Sequence, residues 1–155
     1  MLKAEFVQRV RDMERRLYRV SRTMLKNPHD CEDCVQEALF KAWNRIETLR
    51  EDKYFETWLI RILINECKMM LKKPSERESA LDESIPCIPE GDSSVACAIM
   101  RLAEKERIVL VLHAVEGYSV REISDIVRAR EVTVKWRLKK ARDGLKEILK
   151  EEELI

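Results

Sequence analysis

Five basic side chains fall within eight residues of this sequence: Lys135, Arg137, Lys139, Lys140 and Arg142, with no acid among them. On a helix, such a run offers donors to phosphate. If a tight turn leads into it, the helix can enter a major groove and bring its first residues to base edges. The residues just before it provide that lead. Ser119 is placed to cap a short helix, with Glu122 at capping-box distance. Ile123 and Ile126 point inward, a break follows at residues 128–130, and Val134 and Leu138 then resume an apolar stripe. This is the form of a helix-turn-helix, in which Thr133, Lys135, Trp136, Lys139 and Lys140 face outward as candidate DNA contacts.

A second set lies nearer the N-terminus. Arg61, Asn65, Lys68 and Lys72 recur at spacings that share one helix face, and Tyr54, Phe55 and Trp58 cluster just before or among them. Charge for a backbone beside flat surfaces for unstacked bases is what single-stranded DNA requires. The same aromatics at helical spacing also suit a core, and the sequence leaves both roles open. A third set, Asp33, Cys34, Val35, Gln36 and Glu37 followed by Lys41, Trp43 and Asn44, describes an amphipathic helix with a polar face fit for solvent or another protein. Cys31 and Cys34, near His29, share a helix face. Cys67, Cys87 and Cys97 add no second paired spacing, so packing is the favoured role and no metal is assigned. With His29 and His113 the only histidines, and neither a phosphate-binding glycine loop nor a nucleophile motif, no catalytic residues are assigned.

The elements that must position these groups are helical. Only 3 glycines and 4 prolines occur in 155 residues, with 38% charged and 45% hydrophobic, so an all-α fold is expected. Phe6, Val10, Met13, Leu17, Val20 and Met24 form one stripe that stops at Asn27 and Pro28, a cap and first-turn residue for the next helix. That helix, with Cys34, Val35, Ala38, Ala42 and Ile46 inward, is predicted to end near Leu49. A third is predicted from Tyr54 to about Leu71, completing a bundle. Residues 74–94 hold three prolines and six acids against one base, and read as a flexible acidic linker. Helical spacing resumes near Val95 and runs through Ile99, Leu102, Ile108, Val109 and Leu112 to a stop at Gly117. The predicted domains are therefore 1–73, a linker at 74–94, and 95–155. Net charge is +1, and only its uneven distribution points to a polyanion. No signal peptide or membrane-spanning run is visible, and an odd, irregular set of five cysteines suits a reduced cytoplasm.

In order and spacing these motifs resemble the extracytoplasmic-function group of bacterial RNA polymerase sigma factors. Residues 32–43 resemble the family's polymerase-clamp helix. Residues 55–62 with Asn65 resemble its promoter-melting, −10-recognition helix, and residues 116–123 with 133–142 its −35-binding helix-turn-helix. The resemblance implies an N-terminal region 2-like bundle and a C-terminal region 4-like domain. Asp33, Gln36 and Glu37 would meet the β′ clamp helices of core polymerase, and the C-terminal domain its β flap. Leu49 and Tyr54, bounding a base-capturing loop, with Arg61, Asn65, Lys68 and Lys72, would serve the −10 strand. Thr133, Lys135, Trp136, Lys139 and Lys140 would read −35, with His113 supporting the DNA backbone. The partners implied are core polymerase, promoter DNA and an anti-sigma factor, in the cytoplasm, with tethering at a membrane only through such an anti-sigma factor. No cofactor is implied.

The sequence departs from the family at several points. Leu49 stands where many members have an aromatic and Glu51 where many have glycine, which predicts a different pocket for the flipped base. Arg128 stands where glycine is frequent, which predicts a tighter or differently angled turn. Trp136 replaces a usual small residue. The rival readings are a stand-alone helix-turn-helix regulator and a sigma-like interaction module that does not open promoters.

Overall fold

The computed structural model describes residues 1–72 and 93–153, and every regular element among them is helical. Most of the predicted linker therefore lies outside the described residues. Helix α1 (Lys3–Met24) buries Phe6, Met13, Leu17, Val20 and Met24, with Val10 packed at the edge of the same stripe. Asn27 Oδ1 accepts the backbone N–H of His29 at 2.8 Å, and Pro28 opens α2 (Pro28–Arg45). Its inward residues are mostly small, with Cys31, Cys34, Ala38 and Ala42 all buried, so its backbone lies close to α3. The α-helix ends at Arg45, earlier than the periodicity predicts. There the Thr48 hydroxyl donates to the Arg45 carbonyl at 2.6 Å, and the chain tightens into a 3₁₀ turn, Ile46–Thr48.

Helix α3 (Phe55–Lys72) is the centre of the molecule. Phe55, Leu59, Ile60, Ile62, Leu63, Ile64 and Cys67 are buried around most of its circumference, because α1 and α2 cover one side and α6 another. Lys41 of α2 forms an ion pair with the nearly buried Glu66, the one acid on that inward surface.

The C-terminal half begins with α4 (Ser93–Met100) and α5 (Glu104–Leu110), where the sequence predicts one continuous helix. The break at residues 101–103 has its own hydrogen-bonding solution. Arg107 Nη1 donates to the Met100 and Leu102 carbonyls at 3.2 and 2.9 Å, satisfying groups that the interrupted helix would leave open. Leu102 packs so closely on α7 that its Cδ2 lies 3.0 Å from where a Cβ on Gly144 would stand. After α5 the chain widens into a π-helical turn, Val111–Val115, and Gly117, at φ 81°, reverses it. Helices α6 (Val120–Val127) and α7 (Glu131–Glu153) complete the fold.

The two halves share one core. Ile108, Val109, Leu112, Tyr118, Ile123 and Ile126 belong to the same buried cluster as Leu17, Phe55 and Leu63. A polar seam crosses the joint. Arg19 holds the Glu116 carboxylate with two bonds of 2.8 and 3.0 Å, and Arg16 Nε lies 3.4 Å from the same carboxylate. Arg16 Nη1 also donates to Tyr118 Oη at 3.1 Å and to Glu56 at 3.2 Å. Nearby, Arg107 Nε donates to the Thr23 carbonyl at 2.6 Å.

Burial pushes the Tyr118 phenol up to about 12, so the folded state favours its protonated form. A group raised in this way contributes stability that is complete below the ordinary phenol value of about 10 and is lost as pH climbs through about 12. Thermal unfolding followed from pH 9 upward is expected to show a falling midpoint in that window. The slope should be shallower in Tyr118→Phe; identical slopes would remove Tyr118 from the titration.

Candidate nucleic-acid interface

The helix-turn-helix is assembled by local chemistry. Ser119 Oγ accepts the N–H of Glu122 at 3.1 Å, and the Glu122 carboxylate accepts the N–H of Ser119 at 3.0 Å, closing the capping box expected from the sequence. Ile123, Ile126, Val134 and Leu138 are buried at the joint. The turn itself corrects an expectation. Arg128 adopts the left-handed conformation that glycine would supply, at φ 55° and ψ 50°, so the connection is kept despite the bulkier residue. The cost is local strain of about 1 kcal/mol.

Helix α7 turns Val134, Leu138 and Ala141 inward and leaves the opposite side open. Lys135, Trp136, Lys139 and Lys140 are exposed, and Thr133 is half-buried at the edge. Lys140 is less available than its position implies. Its Nζ sits 4.3 Å from the Trp136 ring centroid and 3.8 Å from Glu106 of α5, so it braces the indole against an acid. His113 lies apart from this face, half-buried in the π turn, where Nδ1 donates to the Tyr118 carbonyl at 2.9 Å. Sequence reasoning missed two participants on this side. Glu106 is an acid on another helix, and Val132, 69% exposed, is a lone apolar residue among charges.

On α3 the four polar residues share a face but not a setting. Asn65, Lys68 and Lys72 are exposed, whereas Arg61 is half-buried and donates through Nε to the Asp125 carbonyl of α6 at 2.9 Å. The structure divides the aromatics that the sequence left open. Phe55 is fully buried between Phe6 and Trp58, Trp58 is half-buried, and Tyr54 is exposed with Lys53 5.1 Å above its ring. Leu49 is half-buried against the core and offers little surface to a ligand. The intervening loop is tied down, since Arg9 donates to the Asp52 carbonyl at 2.8 Å.

Asp33, Gln36 and Glu37 lie exposed along one side of α2. Phe40, 61% exposed, continues that row one turn on, an apolar member that the charge pattern obscured. Trp43 is partly committed elsewhere, with its ring 5.1 Å from Phe6. Cys31, Cys34 and Cys67 are buried free thiols while His29 is exposed, so the histidine does not join them. Burial raises the Cys31 thiol, and Cys34 Sγ lies 3.8 Å from Met70 Sδ.

Comparison with known proteins matches this arrangement. Sigma-70 region 2 matches residues 9–77 and Sigma-70, region 4 matches residues 93–144. The chain belongs to the sigma-70 family, and within it is an RNA polymerase sigma factor of the extracytoplasmic-function type. It is 29% identical over 150 residues to the ECF RNA polymerase sigma factor SigM of Mycobacterium tuberculosis, covering 93% of this chain and 76% of that one. It is also 29% identical over 157 residues to SigW of Bacillus subtilis, covering 88% and 84% of the two chains. The fold agrees with that of the sigma factor RpoE from Bartonella quintana, solved with the anti-sigma factor NepR. There the TM-score is 0.79 at 24% identity, over 94% of this chain and 97% of that one. CnrH, solved with the cytosolic domain of CnrY, gives 0.76 at 24% identity, over 96% and 90%. No helix among the described residues is long and apolar enough to cross a membrane.

Two substitutions test the construction of the helix-turn-helix. Ser119→Ala is expected to lower stability by about 1 kcal/mol through loss of the cap. Arg128→Gly should raise it by about 0.5–1 kcal/mol by relieving the left-handed strain. Chemical denaturation of both variants would check the signs.

Proposed function

We propose that this protein directs core RNA polymerase to promoters whose −35 duplex is contacted by α7 and whose −10 strand is captured along α3. The observation that carries the reading is the capped helix-turn-helix, which leaves a basic side of α7 exposed opposite its buried stripe. Lys135 and Lys139 supply donors to the groove and phosphates, with Thr133 and Trp136 beside them. His113, whose Nδ1 is already engaged, supports the backbone through its other nitrogen. On α3, Asn65, Lys68 and Lys72 take the displaced strand, with Tyr54 as the exposed stacking surface and Leu49 as a wall of the loop. Asp33, Gln36 and Glu37, extended by Phe40, form the contact with the β′ clamp helices, and the C-terminal domain meets the β flap.

The division into 1–73 and 95–155 around an acidic connector lets the two surfaces separate. In the docked form Arg61 is bonded to the backbone of α6, so its use on DNA requires the halves to part. Each surface can then bind weakly, because polymerase fixes their separation and raises the effective concentration of the second contact. The protein acts by recruitment and strand capture in the cytoplasm and carries no catalytic group of its own. An anti-sigma factor that holds the docked form would keep it silent, and a membrane-bound one would hold it at the membrane.

Transcription by core polymerase on a genomic promoter library, with and without this protein, tests the reading. New start sites sharing two spaced elements are expected. Lys139→Ala or Asn65→Ala should lower those starts tenfold or more while leaving the protein bound to core. Absence of new starts from a folded, core-bound protein would favour an interaction module that does not open promoters. Tight palindromic binding by a homodimer without polymerase would favour a stand-alone regulator.

A further inference from the structure

The residues at the very centre of the groove-facing side of α7 are not its lysines. At 100° per residue, and taking the buried Val134, Leu138 and Ala141 as the inward direction, Val132 and Trp136 stand roughly 160° and 200° around the helix. Lys135 and Lys140 fall to either side. Val132 is 69% exposed and Trp136 59% exposed, the two together forming an apolar ridge on the first two turns. The indole is held in place by Lys140, 4.3 Å from its ring centroid, which leans in turn toward Glu106 at 3.8 Å. A ridge flanked by the exposed Lys135 and Lys139 on one side and Lys140 on the other is a poor surface for an apolar protein partner and a suitable one for a polyanion that carries apolar groups.

Within the major groove one base-edge group answers that description. Thymine alone presents a methyl, whereas guanine, adenine and cytosine present donors and acceptors that neither valine nor an indole ring face can satisfy. We propose that Val132 and Trp136 make the −35 element of this protein thymine-dependent, each packing on one thymine C5-methyl. The two residues are one helical turn apart, about 6 Å along the axis, which corresponds to thymines separated by roughly two base steps. Hydrogen-bonded readout then falls to Lys135 and Lys139 on the flanks. Lys140 acts as a positioning residue for Trp136. The inference rests on the −35 role proposed above for α7 and narrows it to a class of sequence.

The test uses holoenzyme formed with core polymerase on a promoter recovered from the transcription assay. Each −35 thymine on either strand is replaced in turn by deoxyuridine, which keeps base pairing and removes only the methyl. Binding is expected to weaken about fourfold at two positions, the loss associated with one methyl-sized apolar group, and to stay unchanged at the others. Trp136→Ala and Val132→Ala should each abolish the deoxyuridine sensitivity of one position and spare the other. Both side chains are exposed, so these variants leave the core intact. Lys140→Met should weaken discrimination at the Trp136 position alone. A −35 element without thymine, or full insensitivity to deoxyuridine in a promoter that still requires Lys139, would overturn the proposal while leaving the −35 role standing. Absence of any protein-dependent protection upstream of −10 would defeat that role and this proposal with it.

Discussion

The carboxylate of Glu116 sits at the joint between the two halves, its side chain 1% exposed, with Arg16 and Arg19 of α1 closing around it. A buried acid without those partners would be strongly unfavourable, so the charge dictates where α1 lies relative to the π turn and to Tyr118. It does not by itself supply the adhesion. Arg16 and Arg19 are 31% and 48% exposed, and water screens much of their attraction. The adhesion comes from the apolar surface beneath, where Leu112, Tyr118, Ile123 and Ile126 join the core built on α3. Apolar burial drives the docking and the ion cluster fixes its register.

That docking organises the surfaces left outside. Because α3 is covered by α1, α2 and α6, Asn65, Lys68 and Lys72 are left exposed on one face, and α6 claims Arg61 from that face. The acids Asp33 and Glu37 of α2 are exposed and stay available to a protein. Lys135 and Lys139 of α7 lie outside its buried stripe, exposed and available to a polyanion. Charge of each sign is thus separated by helix faces within a chain whose net charge is only +1.

Features encoded within a few residues were legible in the sequence. The Asn27–Pro28 start, the Ser119–Glu122 capping box and the reversal at Gly117 each depend on neighbours in the chain. The two-domain, all-helical organisation followed from apolar spacing and from the order of motifs. Features depending on distant residues were not legible. Glu116 and Arg19 are 97 positions apart, and nothing in either segment marks them as partners. The break between α4 and α5 contains neither proline nor glycine, and rests on Arg107 reaching back to the freed carbonyls. Lys140 was indistinguishable from its basic neighbours until Glu106 and Trp136 were seen beside it. Phe55 and Trp58 were ambiguous for a different reason, since aromatic spacing on a helix serves a core and a stacking surface equally well.

The central proposal is that the surfaces assigned to promoter reading are stored in one docked body and separate on polymerase. The most direct measurement is resonance energy transfer between fluorophores placed through non-thiol chemistry at Arg11 and Lys146, both exposed and one in each half. The docked structure gives a single short distance in the free protein, replaced by a longer one when core polymerase is added. The same distance in both states, with polymerase bound and transcription active, would contradict the account.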